Sequence, residues 1–175
     1  MDEFEKSCQS IYNKLNIKKE ISNLIFIYSL PKVGSTSLMT TLRIFGSSLF
    51  NLIHVHDENM FCNILNENEL KIIDFIQFCG EKDHKVLVID IYREPIERKI
   101  SDFFEKISLH FNTSEDNLNK YSIETLIHRF NNIFKEIPNL DPFRNKYNIR
   151  LPDQFDYSTG YNLYQQGNIK YLSLR

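Results

Sequence analysis

Apolar residues at Phe4, Cys8, Ile11, Tyr12 and Leu15 recur at helical spacing, which predicts an amphipathic leading helix over 3–19. NLIFIYS (23–29) is instead a continuous apolar run, rich in β-branched and aromatic residues, as in a strand buried on both faces. A helix over about 35–46 follows and stops near Gly46, and LFNLIHVH (49–56) is a second strand. NENELKIIDFIQFCG (66–80) reads as a helix with a glycine stop, and HKVLVIDIY (84–92) as the third and strongest strand. REPIERKISDFFEKISLHF (93–111) turns at Pro95 and runs on as one helix. SIETLIHRFNNIFKEI (122–137) is another, with Ser122 as its N-cap. Polar turn residues dominate 138–168, which predicts little regular structure there, and NIKYLSLR (168–175) alternates as a final strand. Strands alternating with helices predict an α/β fold: a central parallel sheet with helices on both faces, in three layers.

Bulk properties narrow this picture only a little. A length of 175 residues suits one domain with a real core, here 1–175. The net charge of −2 gives no global attraction to nucleic acid or anionic membranes, so an anion site has to be local. Cys8, Cys62 and Cys79 are odd in number and scattered, as expected of free thiols in a reducing compartment. The polar, acidic start MDEFEKSCQS has no leader character, and no apolar run reaches membrane-spanning length. These features predict a cytoplasmic protein without an integral membrane segment.

Ligands of parallel sheets sit beyond the carboxyl ends of the strands. Three groups of chemistry-bearing residues fall there. The first is the loop Pro31-Lys32-Val33-Gly34-Ser35-Thr36-Ser37 after the first strand. Gly34 lets the backbone curl close to an anion. The amides of Gly34, Ser35, Thr36 and Ser37 then face it from a helix N-terminus. Thr36 and Ser37 add hydroxyls, and Lys32 adds a full charge. A nucleotide triphosphatase loop would read G-x-x-x-x-G-K-[ST], but here the lysine precedes the glycine and no glycine stands upstream.

The second group is Arg93, Arg98 and Ser101, in YREPIERKISDFFEKI. Arg93 leaves the third strand at its carboxyl end, and Arg98 and Ser101 share a helix face. Guanidinium groups fit phosphate oxygens in fork geometry. The competing reading is a solvated basic face with Arg98 paired to Glu94 or Glu105. The third group is His54 and His56, in LIHVHDEN at the end of the second strand, where residues two apart share a face. Histidine suits general-base work. His56 lies nearer the strand end, so it is the better base. His54, about 6–7 Å deeper, is better placed to support it. Glu58 is the fallback base. His84, His110 and His128 read as surface or packing positions, and FIQF, DFFEKI and RFNNIF as helix core faces.

In this order the first two motifs resemble those of the sulfotransferases that use 3′-phosphoadenosine 5′-phosphosulfate (PAPS). Pro31–Ser37 is similar to their 5′-phosphosulfate loop, and Arg93 through Ser101 to their 3′-phosphate motif. The likeness covers roughly 24–110, and a weaker similarity to the carbohydrate and capsular-polysaccharide branch runs through DQFDYSTGYNLY. It implies a P-loop-like sulfotransferase fold and PAPS as co-substrate, held by Lys32, Val33, Gly34, Ser35, Thr36, Ser37, Arg93, Arg98 and Ser101. It also implies transfer of a sulfuryl group to a hydroxyl, most naturally of a saccharide, with Lys32 at the bridging oxygen. The HxH pair is similar to one in some glycosaminoglycan sulfotransferases. No metal is expected. The chain departs from the family in having no tryptophan to stack on adenine and in ending at Arg175, short of such domains. It is therefore expected to be C-terminally short, with its last strand an uncovered sheet edge. Two alternatives stay open. One is a nucleotide or small-molecule kinase, with Asp90 as its magnesium-holding acid. The other is a non-catalytic nucleotide-binding relic.

Overall fold

The computed structural model describes residues 3–46, 48–65, 70–82, 84–136 and 158–174. They fall into two compact units, one drawn from 1–92 and 142–175 and the other from 93–141.

The first unit is built on a five-stranded sheet. Its strands are β1 (Asn23–Tyr28), β2 (Asn51–Val55), β3 (Lys85–Ile91), β4 (Tyr161–Gln166) and β5 (Ile169–Leu174), in the order β2-β1-β3-β5-β4. The β2, β1, β3 and β5 strands run parallel, and β4 is antiparallel to β5. Helices α1 (Glu3–Lys14), α2 (Ser35–Gly46), α3 (Glu58–Leu65) and α4 (Ile72–Glu81) complete it. The architecture is α/β with a mostly parallel central sheet, as the alternation of elements predicts.

Strand alternation assigns the layers. On one face Leu24, Phe26, Val55, Val88 and Tyr171 pack against Cys8 and Ile11 of α1, Phe61 of α3 and Phe75 and Ile76 of α4. On the other, Ile25, Ile27 and Ile89 meet Leu38, Met39 and Leu42 of α2. The sheet is thus covered on both sides, which explains the unbroken apolar run of β1.

Several expectations are corrected. The leading helix stops at Lys14 rather than near 19. Asn16 turns left-handed (φ 51°), and the amides of Asn16 and Ile17 bond back to the carbonyls of Asn13 and Tyr12, a Schellman stop sealed by buried Ile17. Helix α4 runs past Gly80, which is not a stop. A Cβ there would lie 2.8 Å from the Ile169 side chain, so the glycine makes room for β5. Residues 66–69 of that predicted helix lie outside the described residues. Most of all, β5 is not an edge. The polar segment Tyr161–Gln166 forms β4 and pairs with β5 across the two-residue turn Gly167-Asn168. The edge expectation therefore fails, and the expectation of little structure over 138–168 fails at 161–166, while 138–157 lies outside the described residues.

The second unit contains α5 (Pro95–Glu105), α6 (Ile107–Phe111), a 3₁₀ turn (Glu115–Lys120) and α7 (Ile123–Ile133). The single helix predicted over 93–111 is two, broken at Lys106, where φ −106° and ψ 16° leave the helical region. Phe103 is buried at the break, its ring against those of His110, Phe111 and Phe130. Ser122 caps α7, its hydroxyl accepting from the Thr125 amide at 3.3 Å, as predicted. No helix among the described residues is long and apolar enough to cross a membrane.

Candidate functional site

Because β1 and β2 are parallel neighbours, with Ile27 opposite His54 and Tyr28 opposite Val55, their following segments leave the sheet at the same end. One is the loop into α2, and the other carries His56.

The loop has an uncommon backbone. Lys32 has φ 68° and Gly34 φ 88°, so two residues of Pro31–Ser37 are left-handed. Glycine tolerates this at little cost, whereas a lysine there loses about 1–2 kcal/mol. Sequence reading anticipates the glycine and misses the lysine, which no propensity places in that region. The reversal delivers the chain into α2, whose ladder begins with the Leu38 amide on the Gly34 carbonyl at 3.1 Å. The amides of Ser35, Thr36 and Ser37 precede that ladder, as in any first helical turn. Gly34, Thr36 and Ser37 are exposed, Lys32 and Val33 are half-buried, and Ser35 is buried. Five of the six predicted loop residues therefore remain reachable, and Ser35 contributes its amide rather than its side chain.

The two histidines come together as their spacing predicts. Their ring centroids are 4.7 Å apart and nearly perpendicular. The Nδ1 of His56 lies 2.8 Å from the Ser29 carbonyl oxygen. A carbonyl only accepts, so the hydrogen sits on Nδ1, and in the neutral ring Nε2 carries the lone pair. That is the tautomer a proton acceptor needs, held by the first residue after β1. Ser29 is the contact of this candidate site that sequence reasoning misses. Its position across from His56, at the ends of paired strands, was the available signal.

His54 is set differently. Its Nε2 is buried and has no hydrogen-bond partner among the described residues, like the Ser29 hydroxyl. Burial, then neighbouring His56, then Arg43 lower its pKa, which keeps the ring neutral. Its ring stands edge-to-face against that of His56.

Glu58, the fallback base, is already engaged. One carboxylate oxygen accepts from the Ile72 amide at the start of α4, at 2.9 Å, and the other from the Tyr28 hydroxyl, at 3.5 Å. Burial and then Glu58 raise the pKa of Tyr28, so its hydroxyl stays protonated and donates. The carboxylate ties α3, α4 and β1 together. Asp90 is buried, and alternation along β3 turns it away from α2, towards the face that carries Val86 and Val88.

No known family model, curated protein or solved structure matches this chain.

Arg93, Arg98 and Ser101 belong to the second unit. Arg98 and Ser101 are half-buried, three apart on α5, and so share a face. Arg93, two residues before Pro95, has Nε 3.6 Å from a Glu97 carboxylate oxygen. The expected competing pair involves Arg98 instead, yet among the described residues no carboxylate lies within ion-pair distance of Arg98. Both Arg93 and Glu97 are substantially exposed, so their pair contributes little. The predicted packing positions hold for His84, buried with Nε2 2.7 Å from the Tyr12 hydroxyl, and for His110, stacked on Phe103. His128 is exposed beside Asn132. Of DQFDYSTGYNLY, residues 153–157 lie outside the described residues, and the rest forms a turn and the start of β4.

Proposed function

We propose that the protein transfers a sulfuryl group from PAPS to a hydroxyl of a saccharide. The observation that carries this reading is the loop between β1 and α2. Lys32 and Gly34 at positive φ bend the chain so that a lysine and three first-turn amides fall at one end of the sheet. A compact dianion such as a 5′-phosphosulfate suits this set of donors.

In this reading the acceptor oxygen attacks sulfur in line as the bond from sulfur to the bridging oxygen breaks. The acceptor proton passes to Nε2 of His56, whose Nδ1–H stays on the Ser29 carbonyl. Lys32 neutralises charge growing on the bridging oxygen, and the loop amides hold the departing phosphate, so fixed electrostatics lowers the barrier. The products are adenosine 3′,5′-bisphosphate (PAP) and the sulfate ester. Motif order along the chain assigns the 3′-phosphate to Arg93, Arg98 and Ser101.

The kinase alternative needs Asp90 near a nucleotide phosphate, and its burial on the face opposite α2 weakens that reading. Equilibrium binding and turnover separate the candidates. Magnesium-independent PAP binding, with turnover abolished in His56→Ala and PAP affinity near wild type, is the expected result. A preference for ATP would favour the kinase, PAP binding without turnover the relic, and loss of turnover in Glu58→Gln but not His56→Ala would move the base to Glu58.

A further inference from the structure

Far from the loop, at the amino-terminal end of the parallel strands, the sheet face that carries α2 holds a cavity of about 500 Å³. That volume falls within the ~300–1,000 Å³ range of small-molecule pockets. Ile25, Leu49, Phe50 and Leu87 give it an apolar lining, and Lys85 and Lys170 stand in its wall. The lysines face it for a reason of register. Lys85 shares a face with Leu87, and Lys170 pairs directly with Leu87. The two ammonium stems are therefore diagonal neighbours on adjacent strands, about 7–8 Å apart at the backbone.

Charge around them is one-sided. The polar side chains beside them are amides, and among the described residues no acid lines the cavity. The amides are partly committed: Asn23 donates to the Leu49 carbonyl at 3.1 Å, and Gln165 to the Gly167 carbonyl at 3.1 Å. These bonds fix the rim. Leu49 is nonetheless 62% exposed, although it belongs to the apolar lining. An occupant that suits the whole set has a hydrocarbon body for Leu49, Phe50 and Leu87 and one anionic head for the two lysines. A neutral lipid or a cation leaves the lysine pair unanswered, and a bare inorganic anion leaves the lining wet.

We infer that this cavity binds an aliphatic carboxylate, its chain over Phe50 and Leu87 and its head between Lys85 and Lys170. The site is independent of the sulfuryl-transfer reading, because none of its lining residues belongs to the loop or to the histidine pair. It offers the fold a way to sense or carry an amphiphile without blocking the loop.

Decanoate, decanol and decyltrimethylammonium, titrated into the full chain by calorimetry, test the assignment. Decanoate is expected to bind saturably at one site, about tenfold more tightly than decanol, with no binding of the ammonium. Lys85→Met/Lys170→Met, at two exposed positions, is expected to bring decanoate and decanol within about twofold of each other. Its PAP affinity should not change. Methyl resonances of Leu49 and Leu87 should shift with decanoate in the wild type. Absence of decanoate binding, equal affinity for decanol, a preference that survives the double substitution, or unmoved Leu49 and Leu87 methyls would each overturn the inference. So would concentration-dependent dimerisation that decanoate does not reverse, since it would assign this face to a second copy of the chain.

Discussion

Replacing Lys32 separates the strain of the loop from its charge. At φ 68° a lysine occupies a region that costs an L-residue about 1–2 kcal/mol, whereas glycine enters it freely. Glycine also loses about 0.5–1 kcal/mol more backbone entropy on folding than alanine does. At the middle of both ranges the difference leaves Lys32→Gly about 0.8 kcal/mol more stable than Lys32→Ala, which keeps the strain and loses the same charge. With a urea dependence of roughly 2 kcal/mol per molar, the midpoint of Lys32→Gly should lie about 0.3–0.5 M higher. Both variants should lose turnover alike, since neither can neutralise the leaving oxygen, while PAP affinity falls less. Circular dichroism in urea and a single-turnover sulfation assay give the two readouts. Equal urea midpoints would show that residue 32 is not left-handed in solution, and retained turnover in either variant would remove the lysine from the chemistry.

Three further outcomes follow from the same geometry. Glu58→Gln should lower stability by about 1.5–3 kcal/mol, because the Ile72 amide and the Tyr28 hydroxyl lose a charged acceptor, yet turnover should persist at temperatures where the variant is folded. Arg93→Ala and Ser101→Ala should weaken PAP much more than adenosine 5′-phosphosulfate, which lacks the 3′-phosphate; equal losses would show that these residues do not read it. His54 has its folded pKa lowered from 6.5, so as pH falls below that value the unfolded chain takes up the proton first and stability declines. His54→Phe should flatten the dependence of the urea midpoint between pH 7 and pH 5, and an unchanged slope would mean that His54 is not the responsible group.

What was legible in the sequence was the inner sheet. Runs such as NLIFIYS and KVLVIDI are buried on both faces, so burial wrote them in unbroken apolar letters. Strand β4 escaped notice because it has a single partner strand and exposed side chains at most positions, which leaves little hydrophobic signal in YNLYQQ. The break between α5 and α6 was hidden because Phe103 and Ile107 keep helical spacing while the backbone changes direction at Lys106. In the candidate site, residue types and spacing pointed to the loop and the histidine pair. The Ser29 carbonyl leaves no mark in residue type, since every residue offers the same backbone oxygen, and only its place at the strand end beside His56 points to it.

The place of β5 between β3 and β4 also sets an order of events during synthesis. Strands β1, β2 and β3 are complete once Ile91 has emerged, but the parallel partner of β3 begins only at Ile169. At about 5–20 residues per second the ribosome needs several seconds to bridge that interval. Throughout it, Val86, Val88 and Ile89 present an unpaired strand edge to the surroundings. The β4–β5 hairpin, local and joined by a tight turn, then arrives as a preformed pair and closes that edge in one step. A nascent chain of this protein is thus most prone to aggregate between the synthesis of β3 and that of β5, and slowing synthesis after residue 92 should lengthen its stay on chaperones.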